Sequence, residues 1–321
     1  MTQKRHFDVL VIGSACVDLV FSGLPHWPIL GQEIYVDQFA ISVGAIFNTA
    51  ATLSRLGLQV GLLSELGNDF CSRYIFEELG KAGVSRELIV SHDYPLRSLS
   101  VCMAYEGERG FVSYSDKHAS KAVAESEGRA GSEQPSPFLL QKLQQALEVY
   151  DFDAAFTYAD PAKLAYLTLL QACKPEMKTF FDTGWGAECL SNAEMCAVIR
   201  RGDYIMPNQA EAIVMTGAQT IEEAVVTLAK LVPTAIAKVG ARGVIACQQG
   251  EMLHVPAYPI REVVDTTGAG DAFNGGFIYG ILKGYPLAQA LRCGTICGSL
   301  STTALSGTAA VPTVEQLENF L

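Results

Sequence analysis

Apolar strand patterns and helical patterns alternate along the second half of the chain. Helical patterns run through Leu147 and begin again at Pro161 and Glu188, and the apolar strand-like runs between them are 154–158 and 179–182. Parallel strands need long crossover connections, which are usually helices. The alternation therefore predicts an α/β fold in which helices cover both faces of a parallel sheet.

Two segments depart from this alternation. Residues 19–42 contain prolines followed by apolar residues at every second position. Residues 97–115 carry two such alternating runs on either side of a polar, glycine-containing turn at 106–110. A period of two is typical of strands with one buried face. We expect these segments to form a small separate sheet, with the second segment folding as a hairpin.

Composition restricts the class of protein. The 321 residues allow one large α/β domain or two smaller ones, and 49% hydrophobic with 18% charged residues is typical of a soluble globular protein. The net charge of −11 disfavours binding to nucleic acid or to an anionic membrane. Nine cysteines without metal-ligand spacing indicate reduced thiols and a cytoplasmic protein.

The N-terminal apolar run is short and does not read as a targeting segment. Asp8 and Asp18 interrupt the run around residues 9–12, so a buried first strand over Phe7–Ile12 is the better interpretation. No apolar stretch reaches the length that spans a membrane.

A glycine-rich junction at residues 265–271, Asp-Thr-Thr-Gly-Ala-Gly-Asp, is expected to open a helix after a β-prone run ending at Val264. Residues 268–270 are small, and the N–H groups at a helix start are unpaired and carry positive partial charge. Such a site favours a phosphate or an oxyanion. Asp271 in the same turn is placed to take a proton from an alcohol that attacks the phosphate. The combination indicates phosphoryl transfer to a hydroxyl.

The same junction has other interpretations. A plain turn followed by an aspartate at a helix start explains the same residues. A Walker A loop is excluded because no lysine follows Gly275 and Gly276, and a dinucleotide fingerprint is excluded because Phe273 stands where glycine is needed.

The run from Asp265 to Phe273 resembles the C-terminal signature of the ribokinase-like (PfkB) carbohydrate and nucleoside kinases. The resemblance implies a three-layer α/β/α fold with a mainly parallel central sheet and a small β-sheet lid. It implies a single domain over residues 1–321, with lid segments at about 16–43 and 96–116. A lid excludes water that competes with the acceptor. It also implies a catalytic base, Asp271, beside an anion hole formed by the N–H groups of Gly268, Ala269, Gly270 and Asp271.

Two N-terminal motifs resemble the sugar-binding residues of the family. Asp18 ends a Gly-Ser-x-x-x-Asp run in which Cys16 replaces the asparagine that family members often carry. Gly44 and Asn48 resemble the N-terminal signature of the family, a glycine pair followed by an asparagine, with Ala45 at the second glycine position. The resemblance implies that Asp18 and Asn48 bind sugar hydroxyls, and that Gly44 lets the sugar approach the backbone. Without the resemblance to the family, a solvated turn residue is an equally good interpretation of Asp18, and Asn48 can be a purely structural residue at a helix start.

Two further motifs resemble the nucleotide side of the family site. Asn208 and Glu211 match an Asn-x-x-Glu motif that helps to hold metal-bound phosphates, with Glu211 acting through water molecules on Mg²⁺. A structural capping box explains the same pair locally. Lys238, Gly240 and Gly243 match a nucleotide-binding loop, in which the glycines let the chain turn close to ATP.

The predicted function is an ATP- and Mg²⁺-dependent kinase that phosphorylates a hydroxyl, most simply a primary one, of a small sugar. A nucleoside kinase is the alternative, with Phe47 and Trp185 as candidates to stack on a base, and a non-catalytic binding protein on the same scaffold is a third. The resemblance also implies a monovalent cation such as K⁺ beside Asp265 and Thr267. The exposed lid sheet offers a surface for a homodimer.

Overall fold

The computed structural model describes residues 4–105, 108–117, 135–184 and 190–321. Its strands are β1 (Arg5–Ile12), β2 (Ala15–Ser22), β3 (Gln38–Ala45), β4 (Val60–Leu66), β5 (Ile89–Ser91), β6 (Ser98–Tyr105), β7 (Glu108–Ser115), β8 (Tyr150–Tyr158), β9 (Lys178–Asp182), β10 (Tyr204–Ile205), β11 (Thr234–Lys238), β12 (Val244–Gln248) and β13 (Glu251–Val255). Its helices are α1 (Ile46–Arg55), α2 (Phe70–Lys81), α3 (Pro137–Val149), α4 (Leu164–Cys173), α5 (Ala193–Ile199), α6 (Gln209–Thr216), α7 (Ile221–Leu228), α8 (Ala269–Leu282), α9 (Leu287–Ser301) and α10 (Val314–Phe320).

The large sheet has the order β13-β12-β11-β10-β9-β8-β1-β4-β5. All neighbouring strands from β11 to β5 are parallel, whereas β12 and β13 add an antiparallel edge. Strand β1 shows why helices must cover both faces: Val9 and Val11 join one buried cluster with Phe277 of α8, and Leu10 and Ile12 join another with Leu143 of α3. The predicted parallel α/β arrangement is confirmed.

The second sheet has the order β3-β2-β6-β7. Strand β2 leaves the large sheet directly after β1, at Gly13 and Ser14, and pairs with β3 antiparallel and with β6 parallel. The expected hairpin is present as β6–β7, although residues 106–107 of its turn lie outside the described residues. The strand predicted from residue 34 onward begins only at Gln38, because residues 34–37 have no partner strand in the sheet.

The two faces of the small sheet differ in character. The cross-strand row formed by Ser42, Asp18, Ser100 and Ser113 is polar. The next row, formed by Ile41, Leu19, Val101 and Val112, is apolar and points to the opposite face. Asp18 therefore lies inside strand β2 and is buried, so the alternative interpretation of Asp18 as a solvated turn residue is wrong.

Two predicted boundaries differ from the structure. The β-prone run ending at Val264 forms no strand, because the N–H groups of Val264 and Asp265 bond to the Thr302 carbonyl at the end of α9 rather than to a sheet neighbour. The helix expected from Glu188 begins at Ala193, where the Asn192 side chain accepts N–H bonds and caps it. Residues 185–189 and most of the predicted linker at 119–137 are outside the described ranges.

Helices α8 and α9 pack closely through glycine. A Cβ atom at Gly276 would lie 2.6 Å from the Cys293 carbonyl oxygen, and one at Gly280 would lie 2.7 Å from the Cα of Ala290. Glycine is required there because the neighbouring backbone occupies the space of a side chain. This contact fixes the helix that carries Asp271.

Two negative features complete the description. None of the helices in the described ranges combines the length and apolar character needed to cross a lipid bilayer. The eight cysteines for which coordinates are described are all free thiols.

Candidate active site

A cleft of about 2610 Å³ opens where the parallel strands end, and the polar face of the small sheet lies over part of it. Its lining includes residues at the carboxyl ends of three strands, Tyr158 of β8, Asp182 of β9 and Lys238 of β11. The carboxyl edge of a parallel sheet is where ligands bind in open α/β folds. The start of α8 contributes another wall of this cleft, at residues 268–271.

The start of α8 has the local geometry of an anion site. Gly268 is the N-cap residue with φ of 71°, and a Cβ atom there would lie 2.6 Å from the Cα of Gly307. The Ala269 N–H donates to the Thr266 carbonyl at 3.3 Å, whereas the N–H groups of Gly270 and Asp271 have no hydrogen-bond partner among the described residues. Unpaired N–H groups at a helix start that line a cleft suit a phosphate oxygen.

The loop that leads into α8 is braced by Asp265. Its Oδ1 accepts bonds from the N–H and the hydroxyl of Thr267 at 2.8 and 2.7 Å, and its Oδ2 accepts from the Ser306 N–H at 3.1 Å. The carboxylate therefore shapes the loop. Both oxygens of Asp265 accept hydrogen bonds within the protein. The monovalent cation site beside Asp265 and Thr267 stays a prediction.

Asp271 lies in the first turn of α8 and is only partly open to the cleft. Its Oδ2 accepts a bond from Asn48 Nδ2 at 3.3 Å, and its Oδ1 accepts from Thr49 Oγ1 at 3.5 Å. Burial raises the pKa of Asp271 to about 7, and the nearby Asp182 carboxylate adds to this while Lys238 opposes it. A carboxyl group with a pKa near neutrality suits proton abstraction from an alcohol.

A charged network lies beside Asp271, and of its members the sequence patterns singled out only Lys238. Asp182 Oδ2 accepts bonds from Lys238 Nζ at 2.6 Å and from Asn274 Nδ2 at 2.5 Å, and Lys238 Nζ also donates to Asn274 Oδ1 at 3.4 Å. For Asp182 and Asn274 the sequence offered no signal beyond a carboxylate at the carboxyl end of strand β9.

The sugar side of the cleft is built on β2. Cys16 Sγ donates to Asp18 Oδ1 at 3.2 Å, and burial is the main reason that the pKa of Asp18 is raised. A Cβ atom at Gly44 would lie 1.9 Å from Asp18 Oδ2. The Asp18 carboxylate thus occupies the space that a side chain at residue 44 would need. The sequence did not indicate this role of Gly44.

Asn48 connects the sugar side to the base. Its Nδ2 bonds to Asp271, whereas its buried Oδ1 has no hydrogen-bond partner among the described residues. An unpaired buried acceptor is costly, and a ligand hydroxyl that donates to it would remove the cost. Phe47, next to it, is buried in the core, so the expectation that it stacks on a base is not supported. Trp185 lies outside the described residues.

On the nucleotide side, Asn208 and Glu211 form the capping box of α6. Glu211 Oε2 accepts from the Asn208 N–H at 2.8 Å and from Thr183 Oγ1 at 2.6 Å. Burial, aided by the charge of Asp182, raises the pKa of Glu211. A carboxylate destabilised in this way, and lining the cleft with Asn208, fits a hydrated divalent cation. The structural and the metal-binding interpretations are compatible.

The predicted nucleotide loop is a tight turn between β11 and β12. Gly240 and Gly243 have φ angles of 59° and 92°, and a Cβ atom at Gly243 would lie 2.1 Å from the Val255 carbonyl oxygen. Both glycines and Lys238 line the cleft. The structure therefore brings the sugar-side, base and nucleotide-side residues to one cleft, with Gly44 behind Asp18.

A cation from the small sheet also reaches this cleft. Arg109 of β7 donates from Nη1 to the Thr267 hydroxyl at 3.0 Å. Thr267 directly precedes the N-cap residue of α8, so the guanidinium lies close to the candidate anion hole. No sequence motif indicated Arg109.

Known proteins resemble this chain over almost its whole length. The model of the pfkB family carbohydrate kinase matches residues 7–314. The chain is 26% identical to a ribokinase of Haemophilus influenzae, with 97% of each chain covered. It is 29% identical to a cytidine kinase of Thermococcus kodakarensis, over 89% of this chain and 93% of the relative.

A solved structure shares the fold. The structure of Arabidopsis thaliana ribokinase complexed with ribose and ATP superposes with a TM-score of 0.77 at 20% identity, and 98% of each chain is covered. The predicted ribokinase-like fold, a mainly parallel central sheet with helices and a second small sheet, is confirmed.

Proposed function

The chain belongs to the pfkB family of carbohydrate kinases, and from this premise we propose that it transfers the γ-phosphoryl group of ATP to a hydroxyl, a primary one, of a small sugar. One observation carries the proposal: the carboxyl group of Asp271 and the unpaired N–H groups at the start of α8 face the same cleft. A base and an anion hole at one helix start are what phosphoryl transfer to an alcohol requires.

In this proposal Asp271 takes the proton of the attacking hydroxyl. The backbone N–H groups from Gly268 to Asp271, through Ala269 and Gly270, donate to the transferring phosphoryl group. Ala269 joins them by giving up its 3.3 Å bond to the Thr266 carbonyl. Asn48 holds one Asp271 oxygen by its amide N–H at 3.3 Å, which leaves its unpaired Oδ1 for a sugar hydroxyl. Asp18 accepts a bond from a second hydroxyl, and the Cys16 thiol beside it supplies a weaker donor than the asparagine it replaces.

Asn208 and Glu211 would hold Mg²⁺ through water, and Lys238, Gly240 and Gly243 would border the ATP phosphates. Bound Mg²⁺ neutralises phosphate charge in such reactions. The net charge of −11 makes this local neutralisation necessary, because the overall field repels a nucleotide.

The small sheet is proposed to act as a lid on a single domain that spans residues 1–321. Its polar row faces the cleft through Asp18, Ser100 and Ser113. A closed lid would keep water from competing with the sugar as acceptor.

The proposal is tested with the Asp271→Asn variant, which keeps the shape of the side chain and removes the base. We expect turnover to fall by at least ~10²-fold while sugar binding, measured by calorimetry, is retained. Asp203→Asn is a matched control, because Asp203 accepts a strand-end N–H bond from Thr179 away from the cleft lining. Near-normal turnover of Asp271→Asn would remove Asp271 as the base.

A nucleoside kinase is the second candidate, and the 29% identity to a cytidine kinase favours keeping it. A panel of sugars and nucleosides in an ATP-consumption assay separates the two, since phosphorylation of nucleosides alone would overturn the sugar assignment. Ligand binding without phosphate release would identify a non-catalytic binding protein instead.

We place the reaction in the cytoplasm, where reduced thiols such as the eight described free cysteines are maintained. The acidic charge disfavours nucleic acid and membranes as partners. A homodimer through the lid is supported by the apolar outer row of the small sheet, in which Ile41 is 50% and Val112 63% exposed.

A further inference from the structure

We propose that Asp182 and Asn274 are positioning residues that hold the ammonium group of Lys238 against the anion hole, so that it meets the transferring phosphoryl group. The inference rests on the proposed kinase function and adds a cation, with its supports, to that site. Asp182 and Asn274 come from β9 and α8, and Lys238 comes from β11, so three separate elements build this arrangement.

The ammonium lies directly beside the helix start. A Cβ atom at Gly270 would be 3.3 Å from Lys238 Nζ, so the glycine leaves the space that the lysine uses. The N–H group of Gly270 is one of those without a partner in the described part of the chain. The backbone donor and the side-chain cation are therefore adjacent in the cleft wall.

The hydrogen-bond count leaves one ammonium proton for a ligand. A lysine ammonium has three N–H donors. Two are directed to Asp182 Oδ2 at 2.6 Å and to Asn274 Oδ1 at 3.4 Å, and no third acceptor occurs among the residues described. Because Lys238 lines the cleft, the third donor is available to a phosphate oxygen.

The supports are themselves fixed. Asp182 Oδ2 also accepts from Asn274 Nδ2 at 2.5 Å, and its Oδ1 accepts from the Thr183 N–H at 2.8 Å. The side chains of Lys238 and Asp182 are only 13% and 8% exposed. A flexible lysine stem needs such anchors if its charge is to be preorganised. A buried ion pair adds little stability by itself, which favours a functional reason for this one.

The same network sets the electrostatics of Asp271. The groups that act on it are Asp182 of β9, Lys238 of β11, and Asn48 and Thr49 of α1. Cys16 of β2 and Tyr158 of β8 also lie within electrostatic reach. Removing the Asp182 carboxylate would take away a negative charge that raises the pKa of Asp271 and would leave Lys238 unneutralised. Both changes lower that pKa.

The test is Asp182→Asn in the full-length protein, assayed with the substrate that the panel identifies. We expect kcat to fall at least ~10-fold, because the Lys238 ammonium, once displaced, no longer stabilises the phosphoryl group in the transition state. We expect KM for the acceptor to stay within about 3-fold, and the acidic limb of the kcat profile to move roughly one pH unit lower. The control is Asp203→Asn, which removes a carboxylate just before the start of the neighbouring strand β10. It should leave kcat, KM and the acidic limb unchanged.

A double-mutant cycle separates positioning from simple structural support. If Asp182 acts through Lys238, Asp182→Asn combined with Lys238→Ala should be no slower than Lys238→Ala alone. Additive losses, an unmoved acidic limb, or wild-type kcat in Asp182→Asn would each overturn the proposal. If Asp182→Asn fails to fold, Asn274→Ala replaces it in the same cycle. A wild-type protein without any kinase activity would instead contradict the proposed function.

Discussion

At the scale of single residues, burial decides the chemistry of Asp271. An exposed carboxyl group is ionised at neutral pH and is too weak a base to assist an alcohol efficiently. Enclosure beside Asp182 raises the pKa of Asp271 to about 7. The pKa of Asp271 therefore lies close to neutral pH, where a general base works best.

This pKa predicts the pH dependence of catalysis. If Asp271 is the base, as proposed, its ionised form is the active one. The value of kcat/KM should then fall about tenfold per pH unit below a pH of about 7 and level off above it. The measurement is a kcat/KM profile from pH 5 to pH 9 with saturating Mg²⁺–ATP. An acidic limb near pH 4 would mean that the Asp271 carboxyl is not the titrating base.

The same shift predicts a stability effect. The folded-state pKa of Asp271 lies above the unfolded value, so its favourable contribution is complete below about pH 4 and is lost as the pH rises through about 7. Asp271→Asn should therefore be more stable than the wild type at pH 8, by ~1 kcal/mol, and the gain should vanish near pH 4. Urea unfolding at both values measures it, and a variant less stable than wild type at pH 8 would contradict this account.

At the scale of elements, the hairpin β6–β7 is tied to the loop before α8. Arg109 donates to the Thr267 hydroxyl, which in turn donates to Asp265. The small sheet, the proposed lid, and the candidate anion hole are thus joined by a chain of three side chains. This contact is the physical basis for expecting the lid position to affect transfer.

The prediction is that Arg109→Ala weakens lid closure. We expect KM for the acceptor to rise roughly 10-fold, which corresponds to the loss of one hydrogen bond to a charged group. We also expect the ratio of ATP hydrolysis to phosphoryl transfer to increase, because water enters an open site. Arg97→Ala is the matched control, because Arg97 pairs with Asp116 on the same hairpin with a largely exposed side chain. Equal effects of the two variants would show that charge loss, and not the Thr267 contact, is responsible.

At the scale of the whole molecule, the row of the small sheet that contains Asp18 is polar and the neighbouring row, on the opposite face, is apolar. The polar row faces the cleft, and the row formed by Ile41, Leu19, Val101 and Val112 is left partly uncovered. The exposed apolar residues at the two edges of this row, Ile41 and Val112, favour association with a second copy. Oligomeric state and the lid are therefore expected to be linked.

Val112→Glu tests this link. If the outer row is the dimer interface, the variant should sediment as a monomer at concentrations where the wild type is a dimer, because a charge would be buried without a partner. Val214→Glu on α6, at a site of similar exposure, is the control and should not change the mass. A monomeric wild type would contradict the proposed dimer and would leave the small sheet with only the proposed role of a lid.

Much of the architecture could be predicted from local patterns. Alternating strand and helix periods specified the parallel sheet, and alternating apolar residues located the hairpin at 97–115. The run 268–270 with Asp271 specified a helix start, and a helix begins there at Ala269. These predictions succeeded because each depends on neighbours along the chain. The strand ending at Val264 failed for the complementary reason, since a strand exists only where a partner edge is available.

The sequence by itself therefore determined the fold class, the family signatures and the helix that carries the candidate base. Only the tertiary structure decided that Asp18 fills the space beside Gly44, that Arg109 reaches Thr267, and that Asp182 pairs with Lys238. Partners of this kind lie 26 to 158 residues apart along the chain. Their hydrogen bonds and charges become strong only when folding brings them together and removes water, which no local pattern records.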